Sequence, residues 1–190
     1  MQKAILIRHG EVDNPDGTNY GNLPGWHLSQ EGRDQIQELS LKLKALSLNI
    51  CSIVASPLER AQETATILSH ALDVKVSTDK RLTEWDMGDW MGKPLQEFYE
   101  TSGYYSPDMI TDGMEPLPDL ASRVIDSIRY ALTTCDGNII ICSHREPMAA
   151  AIIALQQNPW PKIHELDMPM ASAWELIFEN GEFQSAGKLF

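Results

Sequence analysis

Three short runs are almost wholly apolar: Ala4-Ile5-Leu6-Ile7, Cys51-Ser52-Ile53-Val54-Ala55 and Asn138-Ile139-Ile140-Ile141-Cys142. Runs of this length without polar alternation suit strands covered on both faces, and such strands belong to parallel sheets held between helices. The intervening segments carry helical spacing. Ile36, Leu39, Leu43 and Leu46 predict a first helix over Ser29–Leu46, with Ser29 as its N-cap and Glu31 in the first turn. Ser56, Pro57 and Glu59 read as a capping box opening a second helix that runs to about Ala71. Leu120, Val124, Ile128 and Ala131 mark another over Pro118–Thr134. A short strand is expected at Val74–Val76 and short helices at Pro94–Ser102 and Met148–Leu155. Asn180-Gly181 between Ala173–Phe178 and Glu182–Ala186 reads as a hairpin turn, which places an antiparallel pair at or near a sheet edge. The expectation is an α/β three-layer sandwich, with a mostly parallel sheet flanked by helices and an antiparallel strand near the C-terminus. Its 190 residues form one domain, 1–190.

The first strand ends abruptly in Arg8-His9-Gly10. In open α/β sheets ligands sit beyond the carboxyl ends of the strands, so Arg8 and His9 fall where chemistry is expected. Gly10 lets the backbone turn sharply and approach a bound group. The triplet alone reads equally well as an anion pocket with a reactive imidazole or as a strand that stops at two polar residues. Arg60 follows the second strand, either beside an anion at its carboxyl end or solvated in the first turn of a helix. The strand Asn138–Cys142 runs into Ser143-His144-Arg145-Glu146, repeating the opening arrangement. Between them, Glu84, Asp86 and Asp89 lie among Trp85, Trp90 and glycines. The spacing matches no metal loop, and a carboxyl packed against a tryptophan can act as an acid.

A formal charge of −12 and a pI near 4.7 argue against a nucleic-acid surface, so any anion site rests on a local arginine cluster. No apolar stretch approaches a membrane span, and the apolar run after Lys3 is too short for a signal peptide. Cys51, Cys135 and Cys142 are odd in number, and they read as buried free thiols in a reducing, cytoplasmic setting. No Gly-x-x-x-x-Gly-Lys loop, zinc motif or Gly-x-Ser-x-Gly elbow is present.

Taken together, Leu6-Ile7-Arg8-His9-Gly10-Glu11, Ser56-Pro57-Leu58-Glu59-Arg60-Ala61-Gln62-Glu63-Thr64-Ala65, Leu82-Thr83-Glu84 with Gly88-Asp89-Trp90-Met91-Gly92, and Ser143-His144 resemble the histidine phosphatase (phosphoglycerate mutase-like) superfamily. The loop Tyr20–Trp26 and Leu28–Gly32 are similar to family sequence as well. The resemblance implies phosphoryl transfer through a phosphohistidine. His9 would be the nucleophile, Arg8, Arg60 and His144 would hold the phosphoryl oxygens, and Glu84 would serve as general acid and base, with no metal or other cofactor.

Three departures stand out. The family's usual asparagine falls on Pro15, which leaves Asn14 as the phosphate ligand in its place. Asn22 stands where an arginine is common. Arg145 and Glu146 replace small residues after the second histidine, and Arg145 becomes a candidate substrate ligand.

The implied activity is a phosphomonoesterase acting on a small phosphorylated metabolite. A mutase is the alternative, although the family's mutases carry a longer insertion between the positions of Glu84 and His144. A catalytically silent phosphate-binding module is the third reading. Partners are a small phosphorylated substrate, with no nucleic acid and no membrane; the sequence leaves the oligomeric state open.

Overall fold

The computed structural model describes residues 1–190. Six strands form one sheet: β1 (Gln2–Arg8), β2 (Ile50–Ala55), β3 (Val76–Thr78), β4 (Asn138–Ser143), β5 (Ala173–Glu179) and β6 (Glu182–Lys188), in the order β3-β2-β4-β1-β5-β6. The first four in that order are parallel, while β5 and β6 continue the sheet antiparallel. Asn180 and Gly181 both take positive φ, 52° and 83°, as a two-residue hairpin turn requires. The α/β expectation therefore holds, with the antiparallel pair at one edge.

The apolar strands alternate between two cores. Ile5, Ile7, Ile53, Ile140 and Cys142 face α1 (Gln30–Ala45) and α2 (Glu59–Leu72), meeting Ile36, Leu39, Leu43, Ala65 and Leu68. Ala4, Leu6, Val54, Ile139 and Ile141 face the opposite layer, where α4 (Leu117–Thr133) and α5 (Arg145–Leu155) pack. That second core also takes in Trp85, Phe98 from α3 (Leu95–Thr101) and Tyr104. Both faces of the central strands are thus dry, which is why their sequences lack polar alternation.

Several local expectations are corrected. Ser29 does cap α1, accepting from the Gly32 amide at 3.0 Å. The capping box at Ser56 does not form: α2 begins at Glu59, with Leu58 at its N-cap and no side-chain cap. The Ser56 amide instead extends the β2–β4 pairing by donating to the Cys142 carbonyl at 2.9 Å, so the chain stays extended past the strand. β3 lies two residues beyond Val74–Val76, because Asp73 and Val74 are spent ending α2, where the Val74 amide donates to the Ser69 carbonyl. The last apolar helix starts at Arg145 rather than Met148, since Pro147 sits in its first turn, where a missing N–H costs nothing.

Cys51 and Cys135 form a disulfide, and only Cys142 is a free buried thiol. The turn from α4 into β4 folds Cys135 back over the start of β2, and sequence spacing does not reveal that contact. The inference from three free thiols to a reducing compartment falls with it. No helix is long and apolar enough to cross a membrane.

Candidate active site

Strand register assembles the site. Arg8 pairs with Ser143 and Ala55 with Cys142, so β1, β4 and β2 end side by side and deliver His9, His144 and Ser56 to one place. The His9 and His144 ring centroids lie 5.2 Å apart at 63°. His9 is 1% exposed and His144 is buried.

His9 Nδ1 lies 2.7 Å from the Gly10 carbonyl oxygen. A carbonyl only accepts, so Nδ1 carries the proton and Nε2 keeps its lone pair. The ring's hydrogen bond within the protein is made through Nδ1 alone. Gly10 itself is needed for close approach. A Cβ there would lie 2.4 Å from the Gly32 carbonyl oxygen, so the loop after β1 presses against the first turn of α1. The close approach that Gly10 permits is thus to the backbone of that helix, and it is made without a positive φ.

Arg60, the second residue of α2, is fully buried. It donates to the Gly21 carbonyl at 2.6 Å and lies 4.7 Å from the Tyr20 ring centroid. Arg8 donates to the Met168 carbonyl at 2.6 Å. Arg8 Nε, Arg60 Nε and Nη1, and His144 Nδ1 are buried without partners. Unpaired buried donors are costly, roughly 1–3 kcal/mol each, so this set from three strand-end segments suits a multidentate anion.

His144 Nε2 meets the Ser56 hydroxyl at 2.8 Å, and that hydroxyl also accepts from the Leu58 amide. With the hydroxyl proton directed to Nε2, the imidazole proton sits on Nδ1. Burial holds the pKa of His9 well below the ordinary value, with Arg60 and Arg8 adding to the effect. The same is true of His144, where burial leads and Arg60, His9 and Arg8 add. Both shifts favour the neutral form of the rings.

Glu84 is nearly buried, its Oε2 lying 4.0 Å from His144 Nδ1 and its Oε1 accepting from the Trp85 amide at 2.8 Å. Burial first, and Glu146 second, push its carboxyl up to about 7, against the pull of Arg60. It can therefore hold a proton near neutrality. Its segment is held by residues that the sequence reading did not single out. Arg123 of α4 donates to the carbonyls of Arg81 at 2.6 Å, Thr83 at 2.7 Å and Glu84 at 3.2 Å. Glu115 pairs with Arg123 at 2.7 and 3.0 Å, and its carbonyl accepts from Trp85 Nε1 at 2.8 Å. The capping-type pattern marks Ser56, though as a helix cap and not as the partner of His144, and nothing local marks Arg123.

Of the other expected ligands, Asn14 lines the adjoining cavity, yet both ends of its amide are engaged by the Thr18 backbone at 2.9 and 3.0 Å. The amide thus braces the loop, while its second N–H is engaged by no protein group. Arg145 also lines the cavity, but its Nη1 donates to Glu146 Oε1 at 2.6 Å. Asp86 and Asp89 lie away from the histidines: Asp86 is exposed and accepts from the Gly88 amide, and Asp89 sits in a surface turn. No group of three or more His, Cys, Asp or Glu side chains is placed to hold a metal ion.

The family model for the histidine phosphatase superfamily (branch 1) matches residues 4–187. An uncharacterized protein of Mycobacterium tuberculosis is 31% identical over 185 residues, covering 92% of this chain and 89% of that one. A 2,3-bisphosphoglycerate-dependent phosphoglycerate mutase of Thermoplasma acidophilum is 29% identical over 195 residues, covering 100% and 94%. The solved mycobacterial glucosyl-3-phosphoglycerate phosphatase superimposes with a TM-score of 0.81 at 25% identity, covering 99% of this chain and 96% of that one. The chain is an enzyme belonging to the histidine phosphatase superfamily, branch 1.

Proposed function

We propose that the protein hydrolyses a small phosphomonoester through a phosphohistidine on His9. The observation that carries this reading is the His9 ring: Nδ1 is tied to the Gly10 carbonyl, and Nε2 is unpartnered among the free donors of Arg8, Arg60 and His144. In the first step the Nε2 lone pair forms the N–P bond as the P–O bond to the alcohol breaks. The Glu84 carboxyl gives its proton to the departing oxygen. Arg8, Arg60 and His144 Nδ1–H hold the phosphoryl oxygens as charge spreads over them, and donors of this kind contribute on the order of 3–4 kcal/mol each. In the second step a water attacks phosphorus, its proton passes to the Glu84 carboxylate, and the N–P bond breaks to release inorganic phosphate. No metal and no organic cofactor enters either step.

Phosphate release across a broad panel of phosphomonoesters tests this. An acid-labile, alkali-stable radiolabelled adduct should form on the wild type and vanish in His9→Ala. A folded protein that releases phosphate from none of the panel would sink the reading.

The Thermoplasma relative supports a second possibility, transfer between two hydroxyls. It is named a mutase and is matched over 94% of its length, so the compactness of this chain does not separate the two activities. Isomerisation of phosphoglycerate stimulated by a bisphosphate primer would establish the mutase.

A further inference from the structure

Above the phosphoryl cradle lies a cavity of about 650 Å³. One wall is aromatic, formed by Phe98, Tyr99 and Tyr105, with the Tyr99 and Tyr105 rings 5.3 Å apart. The charged side chains in the wall are Arg8, Glu84, Arg145 and Glu146. Arg145 and Glu146 are the first two residues of α5, directly after His144, and their side chains are only 19% and 15% exposed.

Resting on the phosphomonoesterase reading, we propose that Glu146 sets the charge of the alcohol the enzyme accepts. The site takes phosphomonoesters whose alcohol is uncharged and presents an apolar or aromatic face, and it turns away those whose alcohol carries a carboxylate or a second phosphate.

The argument is one of charge matching. The phosphoryl dianion is answered by Arg8 and Arg60, whose free N–H groups lie at the cradle. The only further cation in the cavity wall is Arg145, and Glu146 already neutralises it at 2.6 Å. An anionic group on the alcohol would have to compete with Glu146 for Arg145, the one further cation there. In a cleft screened from bulk water that repulsion is stronger than at the surface. The chain's formal charge of −12 acts in the same direction. An uncharged alcohol leaves the Arg145–Glu146 pair intact and packs on the rings of Tyr99, Tyr105 and Phe98. Glu146 is thus a specificity-determining residue and Arg145 its counter-ion, so selection comes from a repulsive element.

The test is kcat/KM for glycerol 1-phosphate and 3-phosphoglycerate, which share a carbon skeleton and differ by a carboxylate, together with benzyl phosphate. The wild type should favour glycerol 1-phosphate over 3-phosphoglycerate by about tenfold or more, the worth of one charged contact. Benzyl phosphate should be used at least as well as glycerol 1-phosphate. Glu146→Gln frees Arg145 and should shrink the preference by about tenfold. Glu146→Asp, which keeps the charge, should retain it, and Arg145→Met/Glu146→Gln should lose the gain on 3-phosphoglycerate. A wild-type ratio near unity, or a Glu146→Gln variant that changes both substrates by one factor, would overturn the inference. If the wild type hydrolyses none of the three, the broad panel of phosphomonoesters decides the phosphomonoesterase reading separately. Calorimetric Kd ratios for the same ligands and variants then decide charge selection on the same criteria.

Discussion

The carboxyl ends of β1 and β4 lie side by side in register, and each carries a histidine and an arginine, yet the two ends are used differently. After β1 the order is Arg8 then His9, and the chain leaves the sheet in a long loop. After β4 the order is His144 then Arg145, and the chain enters α5 at once. Arg8 therefore still belongs to the strand and keeps a free Nε near the histidines, whereas Arg145 is a helix residue whose nearest partner is the next side chain, Glu146. The histidines differ in the same way. His9 is tied through Nδ1 to the carbonyl of its own neighbour, and His144 through Nε2 to a hydroxyl that is 88 positions away in sequence. Opposite nitrogens are occupied, so one ring offers Nε2 as a lone pair and the other offers Nδ1–H as a donor. Residue type alone does not assign the roles; the direction in which the chain leaves each strand does.

This contrast can be broken by experiment. The largest effect is expected at His9: His9→Ala should lower phosphate release by about 10,000-fold or more, as loss of a nucleophile does elsewhere. Labelling that persists in this variant would move the nucleophile to the other strand end. Next come the two arginines. Arg8→Ala should reduce kcat/KM by about 1,000-fold, whereas Arg145→Ala should cost less than about tenfold on an uncharged alcohol ester. Equal losses, measured on one substrate, would erase the distinction between the strand ends.

Glu84 serves both ends and sharpens the comparison through pH. With its carboxyl at about 7, kcat/KM should fall as pH rises above 7, and Glu84→Gln should abolish that limb while lowering the rate by about 100-fold. The same raised pKa acts on stability. Between about pH 4.5 and 7 the folded protein keeps a proton that the unfolded chain has lost, so folding stability declines as pH rises through that window. The decline amounts to roughly 3 kcal/mol, and urea midpoints should show Glu84→Gln free of it. The histidines act at the acid side with opposite sign. Their lowered values mean the unfolded chain takes up protons first as pH drops below 6.5, and stability falls there too. The smallest effect is expected at Ser56. Ser56→Ala should cost about tenfold in kcat by releasing the His144 tautomer, with little change in the urea midpoint.

Much of this was legible beforehand, for a physical reason. Strand runs such as Asn138–Cys142, the helical spacing of Ile36, Leu39 and Leu43, and the Asn180-Gly181 turn are local, because burial on one or both faces imposes its own period on the residues. That His9, Arg8, Arg60 and His144 gather in one place could be expected because strand ends in this architecture are the ligand side. The sequence does not show that the Asn14 amide closes a turn onto Thr18, four residues on, a use its type permits as readily as phosphate binding. The sequence hides the Cys51–Cys135 disulfide because the approach of the two residues depends on how one helix end returns over a distant strand.

What the amino-acid order determined by itself is the layered α/β framework and the identity of the side chains placed at its strand ends. Tertiary structure alone decided that Ser56 orients His144 instead of capping α2, that Arg123 and Glu115 hold the Glu84 segment, and that Glu146 neutralises Arg145 inside the cavity. The first kind of information lies in periodicities of a few residues. The second depends on sheet register and on the charges a cleft gathers from remote parts of the chain, and neither exists until the strands have paired.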